Sequence, residues 1–322
     1  MDIQAVRDLI AYDMDRVNEL IQIKLQSNVT LIDQLGHHIV NSGGKRLRPA
    51  LVLLSSGAFS YQGEHHLPLA AIVEFIHTAT LLHDDVVDAS MLRRGKVTAN
   101  QRWGNEASVL VGDFLYSRAF QMMVDIGSMD VMKVLSDATN IIAKGEVQQL
   151  INQHNADISE AQYLEVINNK TAGLFEVASQ LGVIISKSAF EHKQAMISYG
   201  RYLGTAYQLA DDALDYSSNS AELGKNIGDD LAEGKPTLPL LHAMKNGSEE
   251  VQSTIREAIK NGGVDNMSEI QQAIKSTGAI TYTIDTARKE ANKAIDALSI
   301  VPKTRYLDAL VTLANFSVDR AS

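Results

Sequence analysis

The feature that most restricts the fold is an interval without proline running from Pro68 to Pro236, in a chain whose other prolines are Pro49, Pro239 and Pro302. Proline breaks helix interiors because it has no amide donor and its ring clashes with the preceding turn. The interval is rich in Ala, Leu, Val, Gln and Glu at helical spacing, and alternating strand patterns are missing from it. An all-α fold follows. Helices are expected near residues 3–26, 29–41, 49–59, 68–89, 106–125, 128–154, 159–185, 189–217, 237–246, 249–260, 267–276, 279–298 and 303–318. Pro49, Pro68 and Pro302 fall in first turns, where proline helps. Val109, Leu110, Phe114, Ala119 and Phe120 suit one buried stripe on the helix near 106–125. No low-complexity linker or short-period repeat divides the 322 residues, so a single domain spanning 1–322 is expected.

Two acidic motifs interrupt these helices. Asp84-Asp85-Val86-Val87-Asp88 closes a long apolar run, and Asp211-Asp212-Ala213-Leu214-Asp215 repeats the spacing far along the chain. On a helix, Asp84 and Asp88 are one turn apart on one face, with Asp85 beside them. Three carboxylates crowded at one spot repel unless a cation is bound, and Mg2+ suits one or two carboxylates together with water and phosphate oxygens. Solvated helix ends explain either motif alone. A second copy inside another apolar helix is harder to ascribe to chance, and two such helices could face a shared cavity.

Net charge is −10 and the isoelectric point about 5.4, which argues against general attraction to nucleic acid or an anionic bilayer. Phosphate binding must then come from local basic clusters. Gly43-Gly44-Lys45-Arg46-Leu47-Arg48-Pro49 combines a flexible turn, three cations and a helix start. His77 lies two helical turns before Asp84, Arg93-Arg94 follows Asp88, and Lys170-Thr171 interrupts an apolar-faced helix, where a buried lysine must reach water or an anion. Gln208 precedes Asp212 by one turn, and Lys225 and Lys235 sit in a Gly- and Asp-rich loop able to close over a diphosphate. Each of these groups alone would be an ordinary surface charge or core polar residue.

Cysteine is absent, which excludes disulfides and thiolate chemistry and agrees with a reducing compartment. No signal-like N-terminus and no apolar segment of about 20 residues is present, so a cytoplasmic protein without a membrane span is expected.

With these motifs in this order the chain resembles the trans-prenyl diphosphate synthases, and among them the long-chain bacterial members. The resemblance rests on Gly-Gly-Lys-Arg-Leu-Arg-Pro, Leu-Leu-His-Asp-Asp-Val-Val-Asp, Arg-Arg-Gly, Lys-Thr, Tyr-Gln-Leu-Ala-Asp-Asp-Ala-Leu-Asp and Gly-Lys-Asn-Ile-Gly-Asp-Asp-Leu, and covers nearly the whole sequence. It departs from the common pattern at Tyr207, where many members have phenylalanine, and at Ala210, where glycine is common. It implies an isoprenoid synthase-type helical bundle around a deep central cavity, usually a homodimer. It further implies that Lys45, Arg48, His77 and Arg94 hold isopentenyl diphosphate, while Arg93, Lys170, Thr171, Gln208 and Lys225 hold the allylic diphosphate. Asp84, Asp88, Asp211 and Asp215 would bind two or three Mg2+ ions, with Asp85 and Asp212 supporting. The implied reaction is repeated condensation of the two diphosphates, giving octaprenyl diphosphate for a quinone side chain, with shorter or longer products as alternatives and transient membrane contact for product release. A class I terpene cyclase, which binds no second diphosphate, and a non-catalytic synthase subunit are the rival readings.

Beneath Asp84 on the same helix, Ala79 and Thr80 lie roughly 6–8 Å down the axis and Ile76 about 12 Å. Small side chains there leave room for a growing chain to run on toward Met123, so these residues are the expected tunnel walls.

Overall fold

In the computed structural model, residues 1–40, 43–216, 228–263 and 266–319 are described. Helices account for nearly all regular structure, as the proline distribution requires. They run as α1 (Ile3–Leu25), α2 (Thr30–Val40), α3 (Leu47–Ala58), α4 (His66–Val87), α5 (Ala99–Trp103), α6 (Asn105–Ile126), α7 (Met129–Asn152), α8 (Glu160–Ile167), α9 (Gly173–Ile185) and α10 (Phe190–Asp215). Further helices are Asp229–Ala232, Leu238–Asn246, Glu249–Asn261, Met267–Ser276, Ala279–Ala297 and Arg305–Asp319. Their ends are written locally: Asp2 accepts from the Ala5 amide at the start of α1, Ser159 and Gln162 form a reciprocal capping box on α8, and Gly127 and Gly262 close helices in the left-handed region.

Four expectations need correction. Residues 92–97 form a short antiparallel hairpin, Leu92 opposite Val97 and Arg93 opposite Lys96, turning through Arg94 and Gly95, both at positive φ. That is the two-residue turn whose twist matches the strands, and strands this short leave no alternation to read. The helix expected over 159–185 is interrupted by a π-helical turn, Asn168–Ala172. Pro302 precedes its helix, because Val301 is extended and the helix begins at Arg305. Finally, α6 buries Ala107, Ser108, Val111, Gly112, Leu115, Ala119, Met122, Met123 and Ile126, whereas Val109, Leu110 and Phe120 are exposed. Of the expected stripe only Ala119 is buried; α6 is apolar on two sides, and periodicity does not say which one packs.

The chain divides into two compact units, each assembled from separate segments: 1–139, 174–200 and 297–313 in the first, and 140–173, 201–296 and 314–322 in the second. In the first unit α4 packs against α1, α3, α5 and α6. It is apolar on nearly every side and buries Leu69, Ile72, Val73, Ile76, Ala79 and Leu82, as a central helix must. Gly112 of α6 faces His83 of α4, and a Cβ there would stand 2.3 Å from His83 Nε2. The Tyr199 hydroxyl donates to the Leu310 carbonyl at 2.8 Å within the same unit.

The second unit has two apolar clusters, one around Leu231, Leu240, Ile255, Ile259 and Ile270, the other around Tyr163, Ile167, Ala206, Leu209 and Leu238. The second cluster anchors α8 and the C-terminal part of α10, which carry the second acidic motif and its neighbours. Among the described residues no helix is long and apolar enough to cross a membrane.

Candidate active site

At the end of α4 the first acidic motif does not crowd three carboxylates together. Asp84 and Asp88 remain partly exposed one turn apart, with Asp88 at the C-cap and its amide bonded to the Asp84 carbonyl at 2.8 Å. Asp85 turns inward and is fully buried. There Arg93 meets one of its oxygens, Oδ1, through Nε at 2.8 Å and through Nη2 at 2.6 Å. Asn100 donates from Nδ2 to the Asp85 carbonyl at 3.0 Å, which fixes the backbone behind the motif. Burial raises the Asp85 carboxyl above its ordinary range, with the Arg93 hydrogen bond opposing. Its other oxygen, Oδ2, is buried and has no hydrogen-bond partner among the described residues.

The basic residues around this motif are assembled within the first unit. Gly43 and Gly44 take positive φ, and a Cβ on Gly44 would lie 2.6 Å from Arg94 Nη1, so the glycine turn and the hairpin turn meet. Arg48, in the first turn of α3, donates from Nη1 to His77 Nε2 at 3.2 Å, and its guanidinium lies 4.5 Å from the centre of the Phe175 ring. Burial, reinforced by Arg48, Arg94, Arg93 and Arg46, holds the His77 imidazole well below its ordinary value, so it stays neutral and accepts from Arg48. Lys45 is exposed beside them. Arg46 faces elsewhere, pairing with buried Glu74 and donating to the Val40 carbonyl at 3.2 Å.

In the second unit, Asp212 is buried and both its oxygens are engaged: Oδ2 accepts from the Tyr163 hydroxyl, Oδ1 from Gln208 Nε2 at 2.7 Å. Gln208 Oε1 in turn accepts from the Thr171 hydroxyl at 3.1 Å. Burial pushes the Asp212 carboxyl up to about 8, Asp230 adding to the rise while Tyr163 and Gln208 oppose it. Asp211 stays partly exposed, and Asp215 is buried, its Oδ2 accepting from the Asp230 amide at 3.3 Å. Lys170 has found an anion, Glu146 of α7, at 2.6 Å. Lys235 pairs with Glu233 at 2.5 Å, and its amide bonds to the Asp230 carbonyl at 2.8 Å. Lys225 lies outside the described residues.

Comparison with known proteins decides the family. The model of the polyprenyl synthetase family matches residues 29–277. The chain belongs to this family. It is 50% identical over 321 residues to an octaprenyl diphosphate synthase of Haemophilus influenzae, covering 99% of this chain and 98% of that protein. An all-trans-nonaprenyl-diphosphate synthase of Rhodobacter capsulatus, described as specific for geranyl diphosphate, is 43% identical over 97% of this chain and 96% of its own. The crystal structure of a polyprenyl synthase from Caulobacter crescentus complexed with calcium and isoprenyl diphosphate superposes with a TM-score of 0.96 at 44% identity, covering 100% of this chain and 98% of that one.

As a polyprenyl synthetase the chain shows several groups that the motifs alone did not mark. Glu146, Tyr163, Asn100 and Phe175 touch motif residues, yet each reads in sequence as a surface charge or a core residue. The π-helical turn is a second omission. It sets Lys170 and Thr171 against α7 at Gly145, where a Cβ would stand 2.6 Å from the Lys170 amide nitrogen, and such turns recur at functional sites. Ile76, Ala79 and Met123 are fully buried, and Thr80 is partly buried with its hydroxyl bonded to the His77 carbonyl at 2.7 Å.

Proposed function

We propose that this polyprenyl synthetase condenses isopentenyl diphosphate with an allylic prenyl diphosphate in successive head-to-tail steps and releases octaprenyl diphosphate, destined for a quinone side chain. The observation that carries the reading is the joint occurrence of an acidic motif and a separate basic cluster, Arg48, His77 and Arg94, within one unit of the fold. The likeness to octaprenyl diphosphate synthases along nearly the full chain supports the product length.

Among the described residues no three acidic or histidine side chains form a ready metal cage. That suits Mg2+, which prefers one or two carboxylates and fills its remaining positions with water and phosphate oxygen. Behind Asp84 and Asp88 lies the buried Asp85 Oδ2, which has no hydrogen-bond partner among the described residues. Asp84 and Asp88, and in the second unit Asp211 and Asp215, are the residues proposed to hold it. When bound, two or three such ions would neutralise charge growing on the leaving diphosphate.

The chain's own residues do the rest. Lys45, Arg48, His77 and Arg94 bind isopentenyl diphosphate and present its double bond, with neutral His77 orienting Arg48. Arg93, Lys170, Thr171, Gln208, Lys225 and Lys235 contact the allylic diphosphate, and Lys170 exchanges Glu146 for a diphosphate oxygen. Ile76, Ala79, Thr80 and Met123 exclude water and guide the lengthening chain. The exposed apolar face of α6, with Val109, Leu110, Phe120 and Val124, supports a homodimer. Absence of cysteine and of any apolar membrane-length helix among the described residues supports a cytoplasmic site of action, with membrane contact limited to product release.

The test is substrate omission. With Mg2+ and an allylic diphosphate, the purified chain should release diphosphate rapidly only when isopentenyl diphosphate is present. Equal release without it, giving cyclic hydrocarbon, would turn the reading to a terpene cyclase; no release in either case would indicate a non-catalytic subunit.

A further inference from the structure

Tyr163 is absent from every motif, yet it makes the contact on which the second acidic motif turns. It sits in α8, fully helical behind the Ser159–Gln162 capping box, with its side chain buried among Ile167, Ala206, Leu209 and Leu238. From there its hydroxyl donates to Asp212 Oδ2. The other Asp212 oxygen is taken by Gln208 Nε2, and Gln208 Oε1 is taken by Thr171.

These three bonds fix more than their own lengths. An amide has one donor end and one acceptor end, so once Asp212 draws the Gln208 nitrogen, its oxygen must face Thr171. The Thr171 hydroxyl is then obliged to donate its proton to Gln208, which leaves its own lone pairs directed elsewhere. Orientation thus passes from a buried phenol through the buried Asp212 carboxyl to two residues that the proposed function places against the allylic diphosphate. Thr171 belongs to the π-helical turn, a local departure from the α-helical ladder of a kind that recurs at functional sites.

We propose that Tyr163 is a positioning residue for the allylic half of the site: it holds Asp212 so that Gln208 and Thr171 keep one hydrogen-bond polarity, and Asp212 acts as the hub of that relay while its neighbours Asp211 and Asp215 meet the metal. The inference rests on the prenyltransferase reading, and the experiment separates the two.

Wild type, Tyr163→Phe and Asp212→Ala are compared as full-length proteins. Titration calorimetry with Mg2+ follows binding of a non-reacting allylic thiolodiphosphate and, separately, of isopentenyl diphosphate; kcat and both KM values are measured alongside, with circular dichroism confirming the fold. Tyr163→Phe should bind the allylic analogue about tenfold more weakly and lose kcat by a similar factor, with isopentenyl diphosphate affinity within twofold of wild type. Asp212→Ala removes the acceptor that Tyr163 and Gln208 share and should give the same selective loss; it decides the matter should Tyr163→Phe not fold. Combining Tyr163→Phe with Gln208→Ala should cost no more than Gln208→Ala alone, because both act through one relay. Wild-type analogue affinity in a folded Tyr163→Phe protein, equal losses for both diphosphates, or additive losses in the double variant would overturn the proposal. Failure of wild type itself to elongate an allylic primer would instead remove the prenyltransferase reading.

Discussion

Arg93 directs both Nε and Nη2 to a single oxygen of Asp85, at 2.8 and 2.6 Å, and the carboxylate it grips is fully buried. The middle aspartate of the first motif is therefore a partner for the hairpin that follows it. Removing Arg93 would leave a buried charge with no counterion, which costs far more than the intact pair contributes. Because Arg93 itself is about one quarter exposed (24%), Arg93→Ala should destabilise toward the lower end of the roughly 3–5 kcal/mol seen for broken buried pairs. Urea unfolding measures this. Asp85→Asn added to Arg93→Ala should recover part of the loss, and a loss below about 1 kcal/mol for Arg93→Ala would show the pair to be solvated.

Separate cradles for the two diphosphates predict separate kinetic effects. Arg48 touches His77 and Phe175, all in the first unit. Arg48→Ala should raise the KM for isopentenyl diphosphate by about tenfold or more, with the allylic KM changed much less, since a charge-assisted contact to one substrate is lost. Steady-state kinetics with each substrate varied in turn checks this. Equal increases in both KM values would contradict separate sites.

His77 gives a pH dependence of defined sign. Its folded-state value is depressed by burial first and by Arg48 next, so below its ordinary value of 6.5 the unfolded chain binds a proton that the folded chain refuses. The stability this group contributes is present above pH 6.5 and is lost as pH falls below it, by up to about 1.4 kcal/mol per pH unit. His77→Gln should therefore show a shallower decline than wild type between pH 6.5 and about 5 in denaturant titrations. Parallel declines would mean that His77 is protonated in the folded protein.

How much of this was legible in the sequence depends on the range of the interaction. The helices and both aspartate motifs are local patterns, and the proline-free interval fixed their class. The neutral state of His77 was not readable, because its causes are burial and a set of arginines, both brought about by the tertiary fold. Glu146 beside Lys170 and Tyr163 beside Asp212 were hidden for the same reason. The π-helical turn escaped notice because residues 159–185 keep a helical composition, and the close backbone approach at Gly145 is a property of two helices together. On α6 the sequence offered two apolar faces, and only packing against α4 decides between them.

Ala79 and Ile76 are fully buried on α4, the helix that ends in Asp84, and Met123 is fully buried on α6, which packs against it. Ala79→Tyr should shorten the product to about three or four isoprene units, because a packed interior yields little to a large side chain. Met123→Ala should permit equal or longer chains. Wild-type length from a folded, active Ala79→Tyr enzyme would dismiss these residues as tunnel walls.

The most direct test of the central claim is the length distribution of products made from labelled isopentenyl diphosphate and an allylic primer with Mg2+, resolved by reversed-phase chromatography over time. Successive intermediates should appear, each one isoprene unit longer, and accumulate at octaprenyl diphosphate. Accumulation at a short product such as farnesyl diphosphate, or no incorporation of label into any chain, would contradict it.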